Sequence, residues 1–173
     1  AHDCLIKDHV VIVNQALLGG HVEVDHHVMI GGGAGLHQFM RVGAYAMIGG
    51  GASLTQDVAP ATMVTQRDVL TGLNSVGLRR AKFSASDRTQ LKQLYKAILK
   101  STGNPQSVAK HYLENEPNLS SLSNDFLTFF ISPKSLSLLR LSPMNSNARE
   151  SIFTASSMKS GSFLSVSLRP LSV

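Results

Sequence analysis

The amino-acid sequence predicts a mainly β protein with an α-helical appendage: a parallel β-helix followed by a small helical domain. The first sign is an aliphatic residue at every sixth position from Ile6 to Leu54, through Ile12, Leu18, Val24, Ile30, Leu36, Val42 and Ile48. The second is a companion column two places earlier, of small or apolar residues: Cys4, Val10, Ala16, Val22, Val28, Ala34, Met40, Ala46 and Ala52. The third is a change of period after Ser84, from six to helical spacing.

A period of six is neither that of a helix nor that of an ordinary strand. Alternation inside each hexad makes a short strand whose inward residues are the two columns, and the remaining positions turn the chain. Three strands and three turns close a triangular coil, and only stacked coils bury the apolar columns. Residues 4 to 58 should therefore form about three coils, with Ile12, Ile30 and Ile48 in one interior column. Pro60 stands where the next aliphatic is due and removes a ladder donor, so the β-helix is assigned to residues 1–60.

Residues 61–83 read as a connector. The segment 84–131 reads as the helical domain. Leu91, Leu94, Tyr95, Ile98 and Leu99 lie on one helix face, with Ser84 or Ser86 as N-cap and Gly103 as the stop. Arg88, Lys92, Lys96 and Lys100 fall on the opposite, solvent-facing side. Pro105 opens a second helix through Val108, Tyr112 and Leu113. A third follows Pro117, through Leu119, Leu122, Phe126, Phe129 and Phe130. Residues 132–173 are serine-rich without sustained periodicity, which predicts disorder.

The hydrophobic content of 43% suffices for one modest domain. The single cysteine, Cys4, excludes an intramolecular disulfide framework and sits in an inward column. No run of about 18 apolar residues is present to span a membrane. Of the net charge of +5, +4 falls in residues 132–173, so the body is nearly neutral and lacks the basic stripe of a nucleic-acid binder.

Positions 18 apart stack on successive coils, at strand spacing of roughly 4.8 Å. That gathers His2 with Gly20 and Gln38, Ala1 with Gly19 and His37, and Asp3 with His21 and Phe39 on one corner. These are the parts of an acyl-transfer site. A neutral imidazole can take a proton from a hydroxyl, an adjacent carboxylate can hold its tautomer, and a glycine turn can present a backbone N–H to an oxyanion. His9, His26 and His27 fall on another corner with Asp8 and Tyr45, where a solvated or subunit-facing role is expected.

The segments AHDC (1–4), LGGHV (18–22), IGGGAGLHQF (30–39), VGAYAMIGGGASLTQDV (42–58) and GLRR (77–80) resemble the C-terminal half of the UDP-N-acetylglucosamine acyltransferases of lipid A biosynthesis. The resemblance covers residues 1–131 and implies a left-handed parallel β-helix, truncated at its N-terminus, with further coils expected upstream. It also implies a homotrimer that moves a 3-hydroxyacyl chain from acyl carrier protein to the 3-hydroxyl of UDP-N-acetylglucosamine, with neither metal nor organic cofactor. By the same resemblance His2 is the general base, Asp3 its partner and Gly20 the oxyanion donor. His21, His37 and Gln38 surround the sugar nucleotide, Gly50 measures the acyl chain, and Asn74 and Arg80 contact the nucleotide. The exposed bases of the first helix would attract the acidic carrier protein. The implied compartment is cytoplasmic in a bacterium and mitochondrial in a plant. Two other readings are a truncated, non-catalytic trimerising fragment, and a zinc carbonic anhydrase relative using His21 and His26.

Overall fold

The computed structural model describes residues 1–132, and the serine-rich segment from 133 onward lies outside the described residues. Nine two-residue strands make the coils: β1 (Leu5–Ile6), β2 (Val11–Ile12), β3 (Leu17–Leu18), β4 (Glu23–Val24), β5 (Met29–Ile30), β6 (Gly35–Leu36), β7 (Arg41–Val42), β8 (Met47–Ile48) and β9 (Ser53–Leu54). They stack in parallel as three sheets, β1-β4-β7, β2-β5-β8 and β3-β6-β9, one on each side of a triangular left-handed coil. Each pairing joins residues 18 apart, as in Ile12 with Ile30 and Ile30 with Ile48, so the hexad period sets the register directly.

Inside the second and third coils the two columns form a dry core. Val22, Ile30, Ala34, Ala46, Ile48 and Ala52 have no solvent contact. In the first coil the same columns are open, with Ile6 40% and Ile12 45% exposed, because a coil is sealed only when another lies on each side of it.

The parallel ladder runs further than the hexads. Val58 pairs with Val42, only 16 residues away, and Pro60 occupies the turn above Gly43 instead of a strand, so it removes no ladder donor. β10 (Thr62–Gln66) then adds to β8 through Met63–Met47 and Val64–Ile48, and folds back as an antiparallel hairpin with β11 (Val69–Leu73). The stretch read as a plain connector thus holds this hairpin and a short helix, α1 (Ser75–Arg80).

Three helices follow. α2 (Ala85–Leu99) starts at Ser84, whose hydroxyl accepts from the Asp87 N–H while the Asp87 carboxylate accepts from the Ser84 N–H, a reciprocal capping box. It buries Leu91, Leu94, Tyr95, Ile98 and Leu99. Lys92, Lys96 and Lys100 are exposed, whereas Arg88 is half-buried and donates from Nε to the Ser84 carbonyl. α3 (Pro105–Asn115) has Pro105 in its first turn behind an Asn104 cap, and α4 (Ser121–Ile131) buries Leu122, Phe126, Leu127 and Phe130.

Helix α4 is tied to the β-helix by a contact the periodicity does not announce. Arg41, on the outward side of β7, donates from Nε and Nη2 to Asp57 Oδ2, both at 3.0 Å, while its backbone N–H reaches Asp57 Oδ1 at 2.8 Å. The same guanidinium lies 4.5 Å above the centre of the Phe129 ring of α4. A cleft of about 380 Å³ opens beside it, lined by Lys7, Glu23, Asp25, Asp125 and Phe129 among others.

Candidate active site

Every coil needs a residue in the left-handed region at each of its three turns, and the chain fills these places in columns. On the first corner stand Asp3, His21 and Phe39 (φ 55°, 59° and 63°). On the second stand His9, His27 and Tyr45, and on the third Gln15, Gly33 and Gly51. Asp and His are among the side chains that tolerate this conformation best, at a cost of roughly 1 kcal/mol each. Backbone bonds from His21 N–H to the His2 carbonyl and from Phe39 N–H to the Gly20 carbonyl stack the turns of the first corner.

That stacking assembles the group read from the sequence. His2 Nδ1 lies 2.8 Å from Asp3 Oδ2, and the same oxygen is 3.9 Å from His21 Nε2. The His2 ring meets His21 edge-on at 5.1 Å, and His21 in turn lies flat on Phe39 at 4.8 Å with an interplanar angle of 3°. Gly20 sits directly beneath the His2 ring, where a β-carbon would come within 2.9 Å of His2 Nε2. Its N–H donates to no backbone carbonyl among the described residues, so it is available to a ligand. Gly19 is required for a different reason, since a β-carbon there would lie 2.5 Å from the backbone nitrogen of Gln38.

His37 and Gln38 are exposed one coil further on, with His37 Nδ1 3.3 Å from the Gln38 carbonyl oxygen. His2, Asp3, Gly20, His21, His37 and Gln38 therefore share one corner. Gly50 does not join them: it lies on the third corner, stacked over Gly32. Asn74 lies beside the second corner and is engaged in structure, its Nδ2 donating to the Tyr45 carbonyl and its Oδ1 accepting from Gly77 N–H to cap α1. Arg80, in the last turn of α1, is exposed. The spacing of 18 placed Phe39 on this corner with His21, and the stacked rings bear that placement out.

The second corner carries its own stack. His27 lies between His9 at 4.6 Å and Tyr45 at 4.8 Å, and His26 meets His27 edge-on. Burial, then the charges of His9 and His26, lower the pKa of His27 from its ordinary value, and Asp8 opposes them. His26 belongs to this corner and not to that of His21, so the pair invoked for a zinc site does not meet within one chain.

Three stacked parallel sheets closed by left-handed turn residues make this chain a hexapeptide-repeat β-helix protein. Residues 57–136 match the family model described as "Udp N-acetylglucosamine O-acyltransferase; Domain 2". The chain is 40% identical over 120 residues to the acyl-(acyl-carrier-protein)-UDP-N-acetylglucosamine O-acyltransferase of Aliarcobacter butzleri, covering 68% of this chain and 46% of that protein. It is also 40% identical over 128 residues to the same enzyme of Herminiimonas arsenicoxydans, covering 73% and 48%. Among solved structures, the UDP-N-acetylglucosamine acyltransferase of Campylobacter jejuni superposes with a TM-score of 0.69 at 33% identity, covering 75% of this chain and 50% of that one. The Arabidopsis enzyme does so with a TM-score of 0.67 at 33% identity, covering 74% and 46%. The chain belongs to the UDP-N-acetylglucosamine O-acyltransferase family, and it spans about half the length of the relatives it matches.

Proposed function

We propose that the first corner transfers a 3-hydroxyacyl chain from acyl carrier protein to the 3-hydroxyl of UDP-N-acetylglucosamine, the opening step of lipid A biosynthesis. The observation that carries this reading is the 2.8 Å contact of His2 Nδ1 with Asp3 Oδ2, with Gly20 beneath the other ring nitrogen. Asp3 holds the proton on Nδ1, which leaves a lone pair on Nε2. That nitrogen takes the proton of the sugar hydroxyl as its oxygen attacks the thioester carbonyl. The Gly20 N–H stabilises the tetrahedral oxyanion, and on collapse the departing thiolate recovers the proton from His2.

Support for the acceptor and donor comes from the relatives, whose names specify a UDP-N-acetylglucosamine acceptor and an acyl carrier protein donor. His37 and Gln38 are read as sugar-nucleotide contacts on the same corner, and Gly50 as the residue that leaves room for a long acyl chain. Asn74 and Arg80 lie away from His2 within one chain. We read the protein as a homotrimer in which the second corner of one copy faces the first corner of the next, so that these residues reach the nucleotide in trans. The exposed Lys92, Lys96 and Lys100 of α2 offer the carrier protein a basic face. No helix among the described residues is long and apolar enough to cross a membrane.

The test is direct assay of the purified chain with 3-hydroxyacyl carrier protein and UDP-N-acetylglucosamine, following release of the carrier thiol. Transfer that requires His2 supports the reading. A trimer in light scattering that releases no thiol sinks it in favour of a trimerising scaffold.

A further inference from the structure

Building on the reading of His2 as the base, we propose that the corner of His2, Asp3 and His21 also binds a divalent transition-metal ion of the zinc, nickel or copper kind, and that the bound ion switches the base off. The three residues each offer a ligand atom, all within 4.8 Å of one another, the one such group of His, Cys, Asp or Glu among the described residues. Asp3 Oδ2 is the centre of it, 2.8 Å from His2 Nδ1 and 3.9 Å from His21 Nε2. Around a tetrahedral ion with bonds of about 2.0–2.2 Å, neighbouring ligand atoms stand roughly 3.2–3.6 Å apart. The observed spacings bracket that range, and all three side chains are exposed, so small ring rotations bring them to it.

The donor set selects the class of ion. Two imidazole nitrogens with a single carboxylate oxygen suit borderline first-row ions, whereas calcium and magnesium require shells made of oxygen. Asp3 and His21 hold the same left-handed turn position on consecutive coils, which sets their side chains next to each other. The fourth coordination position is left to water.

The switch follows from the tautomers of histidine. A neutral imidazole carries one ring proton. When Nδ1–H donates to Asp3, Nε2 is the acceptor needed for catalysis. An ion held by Asp3 Oδ2, His21 Nε2 and His2 Nδ1 takes the Nδ1 lone pair, and the ring proton moves to Nε2 with no net loss. The nitrogen above Gly20 becomes a donor and has no lone pair with which to accept the sugar proton.

The experiment is titration of the full chain with cobalt(II), whose visible absorption reports tetrahedral nitrogen and oxygen ligands, and with zinc(II) by calorimetry. A single ion per chain is expected. Asp3→Ala or His21→Ala should weaken it by roughly tenfold or more. Joint replacement of His9, His26 and His27 should leave it unchanged. Binding that survives His21→Ala, or that vanishes with the second-corner histidines, overturns the site. Nitrogen NMR of His2 tests the switch: the protonated nitrogen should change from Nδ1 to Nε2 on zinc addition, and a proton that stays on Nδ1 overturns it. Neither readout requires turnover. A chain that binds zinc at this corner and flips the tautomer, yet moves no acyl group when metal-free, keeps the site and loses the acyltransferase reading.

Discussion

The imidazole of His2 rests on Gly20 so closely that a β-carbon at that glycine would lie 2.9 Å from Nε2 and 3.0 Å from Cε1. Gly20 has no positive φ, so alanine is permitted by the backbone and excluded only by the ring above it. Gly20→Ala should displace the His2 ring, the proposed base, while leaving the coil intact. The expectation is a kcat lowered roughly 10- to 100-fold with little change in Tm. Full activity in this variant would show that the observed pose of His2 is not the working one.

His2 and His37 share the corner, and the roles proposed for them differ. His2→Ala should lower kcat by roughly 10² to 10⁴ and leave KM for the sugar nucleotide nearly unchanged. His37→Ala should chiefly raise KM. Steady-state kinetics that reversed this split would exchange the two assignments.

A site shared between copies can be restored by mixing defective ones. Chains carrying His2→Ala and chains carrying Arg80→Ala should each be weak alone. Co-assembled, they should regain activity, because some interfaces pair an intact first corner with an intact Arg80. Mixed assemblies no more active than their parents would place Arg80 outside the site.

Arg41 and Asp57 are 8% and 4% exposed, which makes each dependent on the other. Asp57→Ala leaves a guanidinium buried without its partner and should cost about 3 kcal/mol. Replacing both residues with leucine should recover most of that loss, since the pair also had to be desolvated. Denaturant melts of the three proteins measure the difference, and equal loss in single and double variants would show that the pair itself stabilises the fold.

The lowered pKa of His27 has a definite sign in stability. Unfolded, the residue titrates at its ordinary value; folded, it binds its proton only at lower pH, so the unfolded state takes up the proton first. Stability is therefore full above the ordinary histidine value and declines as pH falls below it. His27→Phe should flatten this decline between about pH 7 and 5. Phenylalanine suits the site, since Phe39 adopts φ 63° at the equivalent position one corner away, against 58° for His27. An unchanged Tm profile in the variant would assign the decline to other groups.

The coils were legible because one number governs them. The spacing of 18 that pairs Ile12 with Ile30 also stacks His2 on Gly20 and Asp3 beside His21, so core and corner were read by the same arithmetic. What escaped lies where that number fails. The Val42–Val58 step is 16 residues, which carries Asp57 to Arg41 and keeps the ladder going past Pro60. The β10–β11 hairpin turns at Arg67 and Asp68, without the glycine that usually marks such a turn. Asn74, expected at the nucleotide, also makes side-chain hydrogen bonds to Tyr45 and Gly77, and these depend on tertiary placement that no local pattern encodes.

The fixed pairing distance also shapes how the chain is made and unmade. Each strand of the coils finds its partner 18 residues away, so no pairing within them requires the closure of a long loop. For a parallel sheet this is an unusually local set of contacts, and it favours growth by one coil at a time upon a coil already formed. Pulled along its axis, the β-helix should yield in steps of one coil, each releasing the same length of chain, and a single abrupt rupture in a force trace would contradict that order.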